Sequence, residues 1–175
     1  MVSFFIYDIP NSFPIEFSGC SASYNHSSDY DCLKAFDGSA NDGVNSWWTN
    51  TFPAWAIFEL KEEKKMNSLV LKGGSATACW ALLLSFKVTL KVDGQWIQLN
   101  GLQVKGWQTC GGPQPTVQIE TDGTVTLPGD FLGIHDLTLE FTTVTNVQSI
   151  RLDVNENKHQ SIILREIIPG FIGNF

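Results

Sequence analysis

The sequence predicts an all-β fold, a β-sandwich or jelly roll of about eight core strands. Hydrophobic residues make up 43% of the 175 residues and aromatic residues 12%, whereas charged residues reach only 17%. Apolar and polar residues alternate with period two along several segments, which is typical of half-buried strands. The pairs Asp93-Gly94 and Asp122-Gly123 are hairpin-turn signals. Helix signals are nearly absent, apart from a short turn near residues 32–36.

The individual strands follow from this alternation and from the turn residues between them. Phe86 to Val92 alternates cleanly, runs into Asp93-Gly94 and returns as Gln95 to Leu99. Lys61 to Lys65 is charge-balanced and predicts a solvated turn. No internal repeat or linker interrupts the pattern, so we expect a single domain over residues 1–175. The other predicted strands are Trp55–Leu60, Asn67–Lys72, Val117–Glu120, Thr124–Leu127, Leu137–Phe141, Ser149–Val154 and Ser161–Ile167.

The charge of the chain excludes some partners. Its formal net charge is −7, and phosphate binding draws most of its affinity from Lys and Arg, so we expect no nucleic-acid partner. No apolar stretch approaches transmembrane length. The start, Met1 to Asp8, lacks the basic region of a signal peptide. We therefore expect a cytoplasmic protein, or a chain that lacks its secretion signal.

The cysteines leave the redox setting open. The chain has four, Cys20, Cys32, Cys79 and Cys110, and no pair has the C-x-x-C spacing of a metal or redox site. Zero, one or two disulfides are compatible with the sequence. Four reduced cysteines are as compatible with the sequence as the disulfide framework of a secreted protein.

Several motifs, in order along the chain, resemble the F5/8 type C (discoidin-like) family. Together they span nearly the whole chain, with a core at about residues 18–170 and an insertion at about 101–136. The resemblance implies a galactose-binding-domain-like jelly roll with an extra hairpin in the insertion. The motifs are Cys20-Ser21-Ala22-Ser23, Lys34-Ala35-Phe36-Asp37-Gly38, Ser46-Trp47-Trp48-Thr49, Pro53 to Leu60, Phe86 to Trp96, Ser149 to Val154 and Ile163 to Ile167.

The resemblance also implies a structural calcium ion, which the family often holds between the A-x-D-G loop and a C-terminal Glu. Calcium takes hard oxygen ligands, both carboxylates and carbonyls. Asp37 and Glu166 would give carboxylates, Ser46 its hydroxyl and carbonyl, and Lys34 a carbonyl. Arg165 would also give a carbonyl, and Asn41 or Asp42, in a loop longer than the family's, would complete the shell. The alternative is that Asp37 caps the turn before Gly38 and Glu166 pairs with a nearby Lys or Arg.

The ligand surface is expected on loops at one end of the sandwich. Sugar recognition needs an aromatic face and planar polar or charged side chains for hydroxyl groups. The candidate ligand-binding residues that offer these types are Tyr24, Asn25, His26, Tyr30, Trp80 and Trp107. The remaining tryptophans, Trp47, Trp48, Trp55 and Trp96, are expected to pack in or near the core.

We therefore predict a non-catalytic binding module, lectin-like, whose partner is a glycan or a glycoprotein. No nucleophile, phosphate-loop, zinc or dinucleotide motif of an enzyme is present. The alternative is a protein–protein adaptor subunit of a larger assembly, ciliary or cytoskeletal. The acidic surface and the long 101–136 insertion suit that role.

Overall fold

The computed structural model describes residues 15–38, 46–74, 83–109, 116–127, 134–157 and 162–173. Within these ranges the chain forms ten strands and two short 3-10 helices, at Ser28–Tyr30 and Cys32–Phe36. The strands are β1 (Phe17–Ala22), β2 (Trp47–Thr49), β3 (Ala54–Gly73), β4 (Leu83–Val92), β5 (Gln95–Gln98), β6 (Gln103–Thr109), β7 (Gln118–Ile119), β8 (Thr124–Thr126), β9 (Ile134–Asn157) and β10 (Ile162–Gly170).

The two long strands, β3 and β9, organise the fold because each contributes to two layers. The first half of β3 pairs with β1 and with the second half of β9. That half of β9 also pairs with β4, which carries β5 and β8. The second half of β3 pairs with β10 and with the first half of β9, while β2 pairs with β10 and β6 with β9. All pairs are antiparallel, and the predicted jelly-roll sandwich is confirmed.

The core lies between these layers and determines which face of each strand points outward. Along the start of β3, Ala54, Ala56 and Phe58 are buried, whereas Trp55 and Ile57 are only half-buried. Full burial of a large apolar side chain contributes about 1.5–3 kcal/mol, so a slip of one residue would be costly. The largest fully buried side chains are Trp47, Phe58, Phe86, Met66, Leu69, Leu71, Leu90, Leu139, Ile150, Leu152, Ile162 and Leu164.

Residues 61–65 do not form the predicted turn, because β3 continues through them. Its register against β9 shifts between Glu59 and Lys64 and again between Lys64 and Met66. Such bulges bend a strand without ending it. Here they lie where the chain crosses from one layer to the other, and Lys61 stays exposed there. The prediction of solvated charges is confirmed and that of a turn is wrong.

The strands predicted at residues 137–141 and 149–154 are likewise parts of one strand, β9. Asn146 lies between them with a φ of 58°, in the left-handed region that Asn adopts more readily than most residues. The pairing with β3 shifts at the same place, opposite Lys64 and Met66. The two long strands therefore bend together.

The remaining differences concern strand ends and the insertion. The strand predicted at 95–99 ends at Gln98, the one at 117–120 shortens to β7, and the one at 161–167 extends to Gly170. Strands β1, β2 and β6 are not among the strands predicted from the alternation of residues. In the insertion, β6 joins one layer and the β7–β8 hairpin, turning at Asp122-Gly123, joins the other. In the described part of the chain no helix has the length and apolar character to span a membrane.

Candidate functional site

The candidate site is built on one loop, residues 21–31, whose two ends are joined by a disulfide. Cys20, in β1, is bonded to Cys32, at the start of the second 3-10 helix. Their Cα atoms are 6.0 Å apart although 12 positions separate them in sequence. The alternative of four reduced cysteines is therefore wrong for this pair. Cys79 and Cys110 lie outside the described residues.

Side-chain and backbone hydrogen bonds hold the loop in two successive turns. Ser27 caps the first 3-10 helix, because its Oγ accepts from the backbone N–H of Asp29 at 3.3 Å and its carbonyl accepts from Tyr30 at 3.0 Å. Asp31 caps the second, its Oδ1 accepting from the N–H of Leu33 at 2.8 Å. Such caps satisfy backbone donors that a short helix leaves unpaired.

The loop is also fastened to neighbouring strands. The indole Nε1 of Trp47 donates to the carbonyl of Tyr24 at 3.0 Å. The N–H of His26 donates to the carbonyl of Trp48 at 2.8 Å. Trp47 is itself fully buried. The loop therefore has its shape set by the core of the sandwich rather than by the loop residues alone.

These contacts bring together three rings, His26, Tyr30 and Trp48, which we call the aromatic cluster. The imidazole of His26 is stacked on the indole of Trp48, with ring centroids 4.1 Å apart and an interplanar angle of 25°. Tyr30 meets Trp48 edge-on at 4.8 Å, and His26 lies 6.0 Å from Tyr30. His26 is exposed, whereas Tyr30 and Trp48 are half-buried. Tyr24 and Asn25 are exposed on the same loop.

The structure brings some of the predicted ligand-binding residues together, and their role in binding stays a prediction. His26 and Tyr30 meet in the cluster, and Tyr24 and Asn25 precede them on the loop. Trp80 lies outside the described residues. Trp107 belongs to β6, but its side chain is outside the described part, so its role stays a prediction.

Two of the four tryptophans assigned to packing are placed differently. Trp47 is fully buried, as expected, but the adjacent Trp48 belongs to the aromatic cluster. The signal that could have found it is the period of a strand, since a residue next to a buried one points outward. Trp96 is 39% exposed, because it lies on the outward face of the β4–β5 hairpin.

Trp55 lies at the other side of the loop's base, on the outer face of β3. Its backbone N–H donates to Ser23 Oγ at 2.9 Å, and its carbonyl accepts from the Ser23 N–H at 2.9 Å. The Arg151 guanidinium lies 5.4 Å from the Trp55 ring centroid and is held by Asp153 at 2.7 Å. The hydrogen bond to Asp153 raises the pKa of Arg151.

The predicted cation ligands are only partly assembled by the described residues. Glu166 lines a pocket of about 420 Å³ together with Phe17, Phe36 and Gly38, the neighbour of Asp37. The Oε2 atom of Glu166, however, lies 3.0 Å from Lys72 Nζ. This ion pair is the alternative that the sequence left open for that carboxylate.

The other proposed ligands lie in different surroundings. Asp37 caps the end of the second 3-10 helix and is exposed, Ser46 is fully buried and Lys34 is half-buried. Over the described ranges, no group of three or more His, Cys, Asp or Glu side chains could hold a metal ion. Asp42 lies outside the described residues, and the ion stays a prediction.

The chain folds as a jelly-roll β-sandwich, and the loop at residues 21–31 carries the aromatic cluster. The family model of the F5/8 type C domain matches residues 19–167. The chain therefore belongs to the F5/8 type C domain family. Among curated proteins, none matches the sequence significantly.

Solved structures share the fold at low sequence identity. A pectin-binding carbohydrate-binding module is 18% identical, with 91% of this chain and 94% of that chain covered and a TM-score of 0.61. Chitosan-binding module 1 of a Paenibacillus chitosanase/glucanase is 19% identical, with 87% and 93% covered and a TM-score of 0.59. A CBM32 module from Clostridium perfringens, in complex with GalNAc-β-1,3-galactose, is 14% identical, with 88% and 94% covered and a TM-score of 0.60.

Proposed function

We propose that this domain is a non-catalytic module that binds glycans through the loop at residues 21–31. The observation that carries the proposal is the aromatic cluster, in which His26 is exposed and Tyr30 and Trp48 are half-buried, beside the exposed Tyr24 and Asn25. An aromatic ring buries the apolar face of a pyranose over a large area and loses little side-chain entropy in doing so. Amide and hydroxyl groups on the same loop supply partners for sugar hydroxyls.

The rigidity of the loop supports this proposal. Binding costs less when the contact residues are already ordered, because fewer side chains and backbone torsions are immobilised by the ligand. Here the disulfide, the two capped turns and the hydrogen bonds to Trp47 and Trp48 all fix the loop before any ligand arrives. Rigid scaffolds that carry functional loops are the usual arrangement of binding sites.

The structural relatives are consistent with glycan binding but differ in their ligands. Their names refer to pectin, to chitosan and to GalNAc-β-1,3-galactose. These glycans differ in charge as well as in linkage. Similarity of fold therefore favours the ligand class for this chain and does not choose among its members.

Replacing Trp48 by alanine is the experiment that tests the proposal. The wild-type domain is first applied to a glycan array, and affinity for its best ligand is then measured by titration calorimetry. We expect Trp48→Ala to weaken binding at least about 30-fold, the effect of a central aromatic contact. Trp48→Phe should retain most of the affinity, because a ring remains in the cluster.

The matched control is Trp96→Ala, which removes an exposed tryptophan from the β4–β5 hairpin instead of the loop. It should bind glycans as the wild type does. A thermal melt of each variant excludes unfolding as the cause of lost binding. Equal affinity of Trp48→Ala and wild type would contradict the site, and a wild type that binds no glycan on the array would favour the adaptor alternative.

A further inference from the structure

We propose that the loop site selects glycans by charge, binding those with free amino groups in preference to those with uronate carboxylates. Asp29 is the residue that sets this preference. The inference rests on the proposed function, since it names the class of glycan that the same site takes. It is carried by the position of Asp29 and by the distribution of ion pairs over the molecule.

Asp29 is next to the aromatic cluster in sequence. It is the middle residue of the 3-10 helix Ser28–Tyr30, and the next residue, Tyr30, contacts Trp48 edge-on. The Ser27 cap on its backbone N–H fixes this turn. Asp29 is exposed. Since Asp29 is adjacent to Tyr30, the inference places its carboxylate at the rim of the site, within reach of a sugar stacked on the cluster.

Ion pairs neutralise several acidic side chains of the domain, but not that of Asp29. In the described part of the chain six ion pairs form, and Asp29 is in none of them. Its charge is therefore not cancelled by a Lys or Arg within those ranges. The paired acidic residues are Glu16, Glu62, Asp122, Asp136, Asp153 and Glu166.

Lys34, half-buried in the second 3-10 helix, is the basic residue nearest to the loop in sequence. Residues 21–31 contain Asp29 and Asp31 but no Lys or Arg. Six of the basic residues are held in the ion pairs just described, and Lys65 and Lys91 lie over the rings of Phe171 and Trp96. A uronate at this site would face a carboxylate with no lysine or arginine on the loop to offset it, whereas an ammonium group would be attracted.

A matched series of β-1,4-linked tetrasaccharides tests the inference. The three probes are the tetramers of glucosamine, glucose and glucuronic acid, which share a backbone and carry positive, zero and negative charge. Affinity is measured by titration calorimetry at low ionic strength, at a mildly acidic pH where the amino groups are protonated and the carboxylates are ionised. The wild type should bind the glucosamine tetramer most tightly and the glucuronic acid tetramer least tightly.

Asp29→Asn removes the charge and keeps the size of the side chain. It should weaken binding of the glucosamine tetramer about fivefold and strengthen that of the glucuronic acid tetramer by a similar factor, as expected for one solvent-exposed charge pair. Affinity for the glucose tetramer should stay within about twofold. About 0.5 M salt, which shortens the screening length to about 4 Å, should reduce the preference in the wild type.

The matched control is Asp93→Asn, which makes the same charge change at the turn between β4 and β5. Asp93 has a φ of 50°, a conformation that Asn tolerates, so its fold should be unchanged and its three affinities should equal those of the wild type. Equal effects of the two variants would mean that net charge, and not Asp29, sets the preference, and would overturn the inference.

Other outcomes separate the inference from the proposed function. A wild type that does not bind the glucosamine tetramer, or that binds the glucuronic acid tetramer more tightly, overturns the charge inference while glycan binding on the array still stands. Unchanged affinities in Asp29→Asn, with binding lost in Trp48→Ala, lead to the same conclusion. If the wild type binds no glycan on the array, the proposed function itself is contradicted.

Discussion

Removing the disulfide between Cys20 and Cys32 should destabilise the domain by an amount that the loop length determines. The cross-link joins residues 12 positions apart. The loop-closure entropy that it removes from the unfolded chain corresponds to about 3 kcal/mol at 25 °C. In a domain of this size 1 kcal/mol shifts the melting temperature by about 2–4 °C, so the double variant Cys20→Ser with Cys32→Ser should melt about 6–12 °C lower.

Scanning calorimetry of the wild type and the double variant, each with and without dithiothreitol, checks this prediction. Reduction should lower the melting temperature of the wild type to that of the variant and leave the variant itself unchanged. A drop of less than about 2 °C would refute the reasoning, because the cross-link would then not restrict the unfolded chain as the loop-closure argument requires. A further drop of the variant on reduction would indicate a second disulfide, between Cys79 and Cys110.

Two more predictions concern ionic contacts. If the predicted calcium ion binds, EDTA should lower the melting temperature, and added calcium should raise it in proportion to the logarithm of its concentration. An unchanged melting curve would contradict the prediction of a bound ion. Asp136→Asn should destabilise the domain by about 1.5–3 kcal/mol, the range for a hydrogen bond to a charged group, because Arg165 loses its 2.9 Å ion pair but keeps its bond to the Gly73 carbonyl. Urea unfolding measures that loss, and Lys87→Met, which breaks an exposed pair with Asp122, is the control that should leave the midpoint nearly unchanged.

The sandwich could be predicted because its strands alternate strictly. Phe86, Val88 and Leu90 are buried in β4 while the residues between them are half-buried, and this period is visible in the sequence. The lengths of β3 and β9 could not be predicted, since charged residues and Asn interrupt the alternation there. Bulges let both strands continue through the interruption, and a bulge has no reliable sequence signal.

The cysteine pairing could not be predicted from the sequence. Four cysteines allow three ways of forming two disulfides, besides single pairs and none. Only the fold shows that β1 and the second 3-10 helix bring Cys20 and Cys32 together.

The site was predicted in part because its residues are contiguous. Tyr24, Asn25, His26 and Tyr30 stand out in one polar stretch, whereas Trp48 is 18 or more positions away from each of them in sequence. The fold brings them together, because the His26 N–H donates to the carbonyl of Trp48 and the Trp47 indole donates to the carbonyl of Tyr24.

The Trp47-Trp48 pair shows how one short strand serves both the fold and the proposed site. Because successive side chains in a strand point to opposite faces, Trp47 enters the core and Trp48 faces the loop. Trp47 also donates its indole hydrogen to the carbonyl of Tyr24, so the burial of one tryptophan positions the loop over the other. The aromatic cluster therefore depends on core packing, and its geometry should persist wherever Trp47 stays buried. A loop fixed in this way has few conformations to lose, which is the property that a small ring-stacking site needs to hold a sugar.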